Sequence, residues 1–174
     1  MLEDRELSKK ICAGDGAAFD AFYRESGPRL RGFLRHLLAS DEAAEDVMQD
    51  AFTQMWRRPQ GFDPERGSLR GYLFGIGRKL AAEWWRRHRP DDELREEAGP
   101  CKVEMSSMVA DAFGRLSVEQ RTLLWLREVE GQTYAELAVI LEIPVGTVRS
   151  RLFAAREALR AVWQVEKGGR HGVR

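Results

Sequence analysis

The sequence predicts an all-α protein of two small helical domains joined by a flexible linker. Three observations lead to this fold class. Apolar residues recur at steps of three and four, capping residues precede several of these runs, and no β-type alternation reaches a useful length. A polar, acidic stretch at residues 90–104 holds little apolar material to bury. We therefore predict domains at 1–89 and 105–165, a linker at 90–104 and a polar tail at 166–174.

The first domain is predicted to contain four helical stretches. Asp15 caps the first, Gly27-Pro28 separates it from the second, and Ser40 starts the third. Prolines and glycines mark residues 58–67 as a loop. Ser68 then caps a long helix with an apolar side, which continues to the end of the domain.

The second domain is predicted to be a four-helix bundle. Its first helix lies at residues 105–116. The second follows Ser117, which forms a capping box with Gln120, and the third follows Thr133, which forms another with Glu136. These two boxes place the starts of two helices within the bundle.

The last two helices are predicted to form a helix-turn-helix. Pro144 cannot continue a helix and biases Ile143 toward an extended conformation, so the chain turns at residues 142–144 and restarts near Val145. The expected core residues are Ala135, Leu137, Ala138 and Leu141 on one helix, and Val145, Val148 and Leu152 on the other. The outer face of the second helix then carries Arg149, Ser150, Arg151, Phe153 and Arg156. Such a face fits the major groove of DNA, although an amphipathic hairpin with solvated arginines is an alternative.

Charge is unevenly distributed along the chain. The 174 residues carry 28 Lys and Arg against 28 Asp and Glu, so the formal net charge is zero. Residues 41–50 hold five acidic side chains and no basic one, whereas residues 78–89 hold five basic side chains against Glu83. A chain whose acidic and basic residues are segregated in this way offers an acidic face to one partner and a basic face to another.

The sequence predicts neither an enzyme nor a metal protein. Cys12 and Cys101 lie far apart and have no ligands at metal-binding spacing. His36, His88 and His171 are scattered, and no Gly-rich phosphate loop follows a strand. We expect no cofactor and no small-molecule substrate. The charged N-terminus, and the lack of an apolar run of about 20 residues, predict a cytoplasmic protein.

Four segments, in this order, carry a family resemblance: residues 44–52 (AEDVMQDAF), 67–73 (GSLRGYL), 116–121 (LSVEQR) and 144–152 (PVGTVRSRL). Together they resemble an extracytoplasmic-function (ECF) sigma factor of bacterial RNA polymerase, a group 4 member of the sigma-70 family. The resemblance covers residues 19–89 and 108–162. It implies a non-catalytic specificity subunit that binds the clamp helices and flap of core polymerase and directs the enzyme to promoter DNA.

The resemblance assigns the acidic helix of the first domain to polymerase docking. The residues implied are Glu45, Asp46, Gln49 and Asp50. Their side chains suit Arg-rich partner helices, although a solvated acidic face over a core stripe explains about half of them equally well.

Capture of the melted non-template strand at the minus-ten element is implied for the loop at 62–68 and the helix after it. Capture needs cations for phosphates and flat faces for unstacked bases. The residues implied are Phe62, Arg66, Ser68, Arg78, Lys79, Trp85, Arg86 and Arg87. Trp84 and Trp85 are adjacent on a helix, so we expect only one of them to contact DNA. Trp85 is the candidate if Trp84 lies in the core, and the choice between the two stays open.

Reading of duplex DNA at the minus-35 element is implied for the second helix of the helix-turn-helix. The groove-facing residues are Arg149, Ser150 and Phe153. The phosphate-binding residues are Thr147, Arg151 and Arg156. Ala154 departs from the family pattern, because a basic residue is frequent there, and this leaves the base preference open.

A regulatory partner is also implied. Family members are commonly held inactive by an anti-sigma factor, often one that sequesters them at the inner membrane. A flexible linker lets the two domains close around such an inhibitor or spread on polymerase. Two alternatives stay open at this point: a stand-alone helix-turn-helix regulator, and a helical adaptor that binds proteins but not DNA.

Overall fold

A computed structural model describes residues 2–88 and 112–169 of the chain, with side chains described at 4–88 and 112–164. The helices are α1 (Leu2–Cys12), α2 (Gly16–Leu38), α3 (Asp41–Arg57), α4 (Leu69–His88), α5 (Val118–Leu124), α6 (Tyr134–Leu141) and α7 (Val145–Gly169). A 3-10 turn, Pro59–Gly61, follows α3, and a π-helical turn, Trp125–Val129, follows α5. The described ranges contain no β-strand, and the all-α fold class is confirmed.

Several predicted segments lie outside the described residues. These are the linker at 90–104, Cys101, and residues 105–111 of the predicted first helix of the second domain; residues 112–114 are helical. Helix α7 continues to Gly169, beyond residue 165, where the sequence predicted the second domain to end. Among the helices described, none is long and apolar enough to cross a membrane.

Helices α2 to α6 begin where the sequence predicted caps, whereas α1 was not predicted. The capping residues are Asp15 before α2, Ser40 before α3, Ser68 before α4, Ser117 before α5 and Thr133 before α6. In each cap a side-chain oxygen accepts a hydrogen bond from the N–H three residues on, at 3.0 to 3.2 Å. Each acceptor therefore satisfies a backbone donor that has no partner within the first helical turn.

Helix α2 runs unbroken through Gly27-Pro28, so the predicted break at this position is wrong. Pro28 lies inside the helix and removes one backbone donor. The helix nevertheless stays packed on α3, where a Cβ on Gly27 would lie 3.8 Å from the Met48 Sδ. Packing of this face therefore outweighs the local preference for a break.

Two residues of the second half that were predicted as core are exposed. Ala135 is exposed, and Val145 is 38% exposed. The buried residues of α6 and α7 are Leu137, Ile140, Val148, Leu152 and Ala155. Ile140 is buried because it faces α4 of the first half, a contact that the pattern within one helix does not reveal.

The two halves pack against each other and share one hydrophobic core. Helix α4 lies along α6. On α2, the His36 ring stacks on Trp125 with ring centroids 5.4 Å apart and lies 5.5 Å from the ring of Phe113. Nearby, the Arg29 Nη1 lies 3.4 Å from the buried Glu130 carboxylate. We call these contacts, between α2 and α4 on one side and residues 113–142 on the other, the interdomain interface.

Candidate nucleic-acid interface

The loop at 62–68 and the first turns of α4 line a cleft at the interdomain interface. The cleft has a volume of about 310 Å³, and residues of α6 form its other wall. Phe62 is half-buried, and its ring centroid lies 5.9 Å from that of Tyr72. Gly67 turns the loop with a φ of 154°, which favours glycine. A concave site with aromatic and polar walls can receive an unstacked base.

Two predicted loop residues have different roles in the fold. The Ser68 hydroxyl caps α4, and its backbone N–H donates to the Glu136 Oε1 at 3.0 Å. Ser68 therefore joins the loop to the second half. Arg66 is exposed at the cleft, where its guanidinium can reach a phosphate.

Arg78 and Lys79 reach across the interdomain interface. The Arg78 Nε donates to the Ile140 carbonyl at 3.0 Å, and the Lys79 Nζ lies 2.6 Å from the Glu142 carboxylate. The hydrogen bond from Lys79 and its positive charge hold the pKa of Glu142 below its usual range. Both cations predicted to bind phosphates are thus bound here by acceptors of the second half.

The two tryptophans of α4 are both half-buried, so burial does not distinguish them. The Trp85 Nε1 donates to the Leu37 carbonyl at 3.2 Å, which attaches α4 to α2. Trp84 stacks on His88 with ring centroids 4.2 Å apart and an interplanar angle of 15°. Contact of Trp85 with DNA stays a prediction, and the flat surface at this end of α4 is formed by the Trp84 and His88 rings.

Arg86 and Arg87 extend the basic side of α4. Both are exposed, with guanidinium nitrogens 4.0 and 3.8 Å from the Glu83 carboxylate. Exposed pairs of this kind contribute about 0–1 kcal/mol, so a phosphate can displace the carboxylate. These two arginines are therefore accessible to DNA, whereas Arg78 is half-buried against the second half.

Helix α3 presents the predicted acidic face opposite its core stripe. Asp46, Gln49 and Asp50 are exposed. Glu45 is half-buried, and its carboxylate lies 3.0 Å from the Arg31 Nε. Glu45 is therefore partly neutralised within the fold, and the other three side chains are open to a partner.

The predicted groove-facing residues of α7 are open to solvent. Arg149 and Ser150 are exposed, and Phe153 is 68% exposed. Thr147 is half-buried, and its carbonyl accepts a hydrogen bond from the Ser150 hydroxyl at 3.0 Å. A phenylalanine exposed beside an arginine suits the major groove, because a ring can contact a thymine methyl and a guanidinium can bind guanine.

The two predicted phosphate-binding arginines of α7 are paired within the chain. Arg151 pairs with Glu119 of α5, and the Arg156 Nη2 lies 2.7 Å from the Glu128 carboxylate. Hydrogen bonds to Glu128 and then to Tyr134 raise the pKa of Arg156. Both ion pairs are exposed, so binding of a phosphate requires exchange of one anion for another.

Three residues of the second half that lie against the cleft and α4 were not predicted as site residues: Glu136, Ile140 and Glu142. Burial would raise the pKa of Glu136, but hydrogen bonds from Thr133 and Ser68 outweigh it and lower the pKa. Their partners on the first half are 62 to 68 residues away in sequence. Local patterns therefore carried no signal for these contacts, apart from the cap at Glu136.

Within the described ranges, no group of three His, Cys, Asp or Glu side chains is placed to hold a metal ion. Cys12 is exposed. His36 is 2% exposed, and burial, followed by the charge of Arg121, lowers its pKa to about 3. His36 is therefore neutral at the interdomain interface.

Two family models match the chain: Sigma-70 region 2 over residues 22–90, and Sigma-70 region 4 over residues 106–159. The ECF RNA polymerase sigma-E factor of Haemophilus influenzae is 28% identical over 91% of this chain and 94% of its own length. The probable RNA polymerase sigma-C factor of Mycobacterium bovis is 30% identical over 89% of this chain and 88% of its own length.

Solved structures agree with these matches. CnrH in complex with the cytosolic domain of CnrY has a TM-score of 0.73 at 27% identity, over 93% of this chain and 97% of that one. The sigma factor RpoE of Bartonella quintana, in complex with the anti-sigma factor NepR, has a TM-score of 0.69 at 25% identity, over 84% of this chain and 97% of that one. Both regions are present in the predicted order, and the relatives match over nearly their whole length. This chain therefore belongs to the ECF (group 4) sigma factors of bacterial RNA polymerase.

Proposed function

We propose that this sigma factor is a dissociable, non-catalytic subunit of RNA polymerase that contacts promoter DNA at two separate places. Helix α7 reads the minus-35 duplex, and α4 with the loop at 62–68 holds the melted strand of the minus-ten element. One observation carries the proposal: a single chain has both an exposed Arg149 and Phe153 on its recognition helix and a basic helix beside an aromatic-lined cleft. A repressor needs only the first of these features.

At the minus-ten element, the chemistry of single-strand binding supports this assignment. Phe62 and Tyr72 give the cleft flat walls for a base, and Arg66 is placed beside it. Arg86 and Arg87 then continue the positive charge along α4, where the sugar-phosphate backbone would run. Base and backbone are thus bound by different groups on one surface.

At the minus-35 element, α7 separates base contacts from phosphate contacts. Arg149, Ser150 and Phe153 are assigned to base edges because they are exposed on the helix. Arg151 and Arg156 are assigned to phosphates, since both reach sideways to carboxylates of the preceding elements. The helix can therefore be positioned by phosphates and select its site by bases.

Polymerase docking is assigned to the acidic face of α3. Asp46, Gln49 and Asp50 are exposed together, so they can meet basic partner helices by charge complementarity. The alternative function, a protein-binding adaptor, predicts that this acidic face accounts for binding of the partner protein. In that case the arginines of α7 have no role. Reversing the charge of Arg149 and Arg151 separates the two, because an adaptor would keep its activity.

We also infer an anti-sigma partner and a cytoplasmic location. The RpoE structure to which this chain is similar is a complex with an anti-sigma factor. An inhibitor that covers α3 or the cleft would exclude core polymerase by competition. Mixing the three proteins tests this: we expect two binary complexes, and a stable ternary complex would contradict it.

The main test is run-off transcription with purified core polymerase. The template carries a promoter that becomes active in cells when the chain is overexpressed. We expect transcripts only when the chain is added, and loss of transcripts with Arg149→Glu. The matched control is Arg24→Glu, an exposed arginine of α2 with no assigned DNA contact. A correctly folded protein that supports no promoter-dependent initiation would refute the proposal.

A further inference from the structure

Helix α1 holds the loop assigned to strand capture from outside the cleft. The Arg5 guanidinium of α1 pairs with the Glu65 carboxylate, which is 60 residues away in sequence. Helix α1 also lies against the 3-10 turn, Pro59–Gly61, that leads into the loop. Of the described residues, Asp63 and Arg66 line the cleft, whereas Arg5 and Glu65 do not. The ion pair therefore acts on the loop without occupying the place of a bound base.

Glu65 projects from a turn whose backbone is already fixed. The Asp63 carboxylate accepts a hydrogen bond from the Glu65 N–H at 2.9 Å, as in an Asx turn. The Asp63 carbonyl accepts another from the Arg66 N–H at 3.0 Å. Phe62 precedes this turn and Arg66 ends it. A shift of the turn at 63–66 would therefore move both groups that the cleft offers to a strand.

Arg5 is fixed as well, because α1 is anchored in the hydrophobic core. Ile11 is 3% exposed, and Leu7 packs against the same core. An exposed ion pair usually contributes only about 0–1 kcal/mol, partly because two long side chains must be ordered. In this pair both backbones are held by other contacts, so less freedom is lost when the pair forms. The pair can therefore stabilise one conformation of the loop.

The start of the loop is held by α4. A Cβ on Gly61 would overlap the Tyr72 hydroxyl, so the Tyr72 side chain packs directly on the loop backbone. The ring of Tyr72 also faces the ring of Phe62. The loop is thus held at Gly61 by α4 and at Glu65 by α1, with the turn at 63–66 next to the second of these contacts.

We propose that Arg5 is a positioning residue for strand capture. By holding Glu65, it keeps the turn at 63–66 in the conformation in which Phe62 and Arg66 receive an unstacked base. Helix α1 is then part of the minus-ten site without contacting the base. A loop that is ordered before binding adds no ordering cost to the binding step, so the base is bound more tightly. This inference rests on the strand-capture role proposed above.

Holoenzyme assembled from core polymerase and the full chain tests the proposal. The probes are a fluorescent non-template strand of the minus-ten element, from a promoter found by start-site mapping, and strands in which each base in turn is replaced by an abasic site. The affinity of the intact strand divided by that of an abasic strand measures the contribution of that base. We expect Arg5→Ala to lower the largest of these affinity ratios roughly two- to fivefold. Binding of the abasic strand itself should be unchanged.

Lys9→Ala is the matched control. It removes the same charge from α1, but the Lys9 Nζ lies 3.4 Å from the Glu6 carboxylate of the same helix and does not link α1 to the loop. We expect this variant to keep the affinity ratios of the unaltered chain. An equal fall in the ratio with Lys9→Ala would contradict a specific role of the pair between Arg5 and Glu65. The affinity of each variant for core polymerase shows that the variants are folded.

A charge swap separates positioning from a direct contact with DNA. Arg5→Glu and Glu65→Arg, made singly, place like charges opposite each other and should each lower the largest affinity ratio. The double variant restores an ion pair with the charges exchanged, so it should recover most of the ratio. A double variant with a ratio no better than those of the single variants would contradict positioning through the pair.

The outcomes also separate this inference from the function on which it rests. If Arg5→Ala weakens the intact and abasic strands equally, Arg5 contributes only its charge. That result would overturn the positioning role and leave strand capture standing. If the unaltered holoenzyme binds the intact strand and every abasic strand equally, capture of a base at the loop is itself wrong and the inference falls with it.

Discussion

The two carboxylate oxygens of Glu136 serve two different halves of the molecule. One oxygen accepts hydrogen bonds from the N–H and the hydroxyl of Thr133, both at 2.8 Å, and so completes the capping box of α6. The other accepts the Ser68 N–H at 3.0 Å, in the loop assigned to strand capture. The capping role was predictable because its partner is three residues away. The second role was not, since nothing in the local sequence specifies a partner 68 residues away.

The lowered pKa of His36 leads to a prediction about how the stability of the fold depends on pH. Its folded pKa is lowered to about 3 from 6.5, so below pH 6.5 the unfolded chain binds one more proton than the folded chain. Stability should therefore fall as the pH falls from 6.5 toward 3, by about 2 kcal/mol between pH 7.5 and 5 from this group alone. Urea unfolding at these two pH values measures the loss.

The comparison variant is His36→Leu, which keeps an apolar contact with Trp125 and has no proton to gain. Its free energy of unfolding should depend less on pH than that of the unaltered chain, by about the same 2 kcal/mol. Identical pH profiles for the two proteins would show that His36 is not held neutral at the interdomain interface.

At the scale of elements, helix starts were predictable and helix continuity was not. Every cap from Asp15 to Thr133 depends on a residue within four positions of its partner, so the sequence alone indicates it. The course of α2 through Gly27-Pro28 depends instead on α3, which packs against that face. The same limit explains Ala135 and Val145, whose exposure depends on where α6 and α7 meet their neighbours.

Pro28 tests this account of α2. Because Pro28 lies inside a helix and is exposed, Pro28→Ala should restore a backbone donor without disturbing packing. We expect a stabilisation of about 1–2 kcal/mol, less than the full helix penalty of proline because alanine also makes the unfolded chain more flexible. Urea unfolding beside Arg24→Ala, an exposed control in the same helix, measures it. Destabilisation by Pro28→Ala would contradict the account.

Helix α7 allows base contacts and phosphate contacts to be told apart. Arg149→Ala should lose about 1–3 kcal/mol on the promoter's minus-35 duplex and relax its sequence preference. Arg156→Ala should weaken binding to every duplex alike and lower the salt slope by about one, with a smaller loss because Arg156 must first leave Glu128. Anisotropy titrations at several salt concentrations, with promoter and scrambled duplexes, measure both. Equal losses on the two duplexes for Arg149→Ala would argue against base reading.

At the scale of the whole molecule, the two halves are predictable and their contact is not. The order of motifs and the polar stretch at 90–104 indicate two helical units with different DNA chemistry. Their closed packing depends on Gly71 and Gly75 of one half and Ile140 of the other. The sequence pattern within each helix does not indicate that these residues make a contact. The closed packing also explains why Arg78 and Lys79, which are basic residues of the predicted strand-binding helix, are paired with carbonyl and carboxylate acceptors of the second half.

The most direct test of the central claim, that one chain directs polymerase through two DNA contacts, is start-site mapping in a purified system. Core polymerase transcribes fragmented bacterial genomic DNA with and without the chain, and the 5′ ends of the transcripts are sequenced. We predict a defined set of new start sites, each preceded by two short shared elements at a constant spacing, with the upstream element altered by Arg149→Ala. An unchanged set of start sites, with a folded protein that binds core polymerase, would contradict the claim.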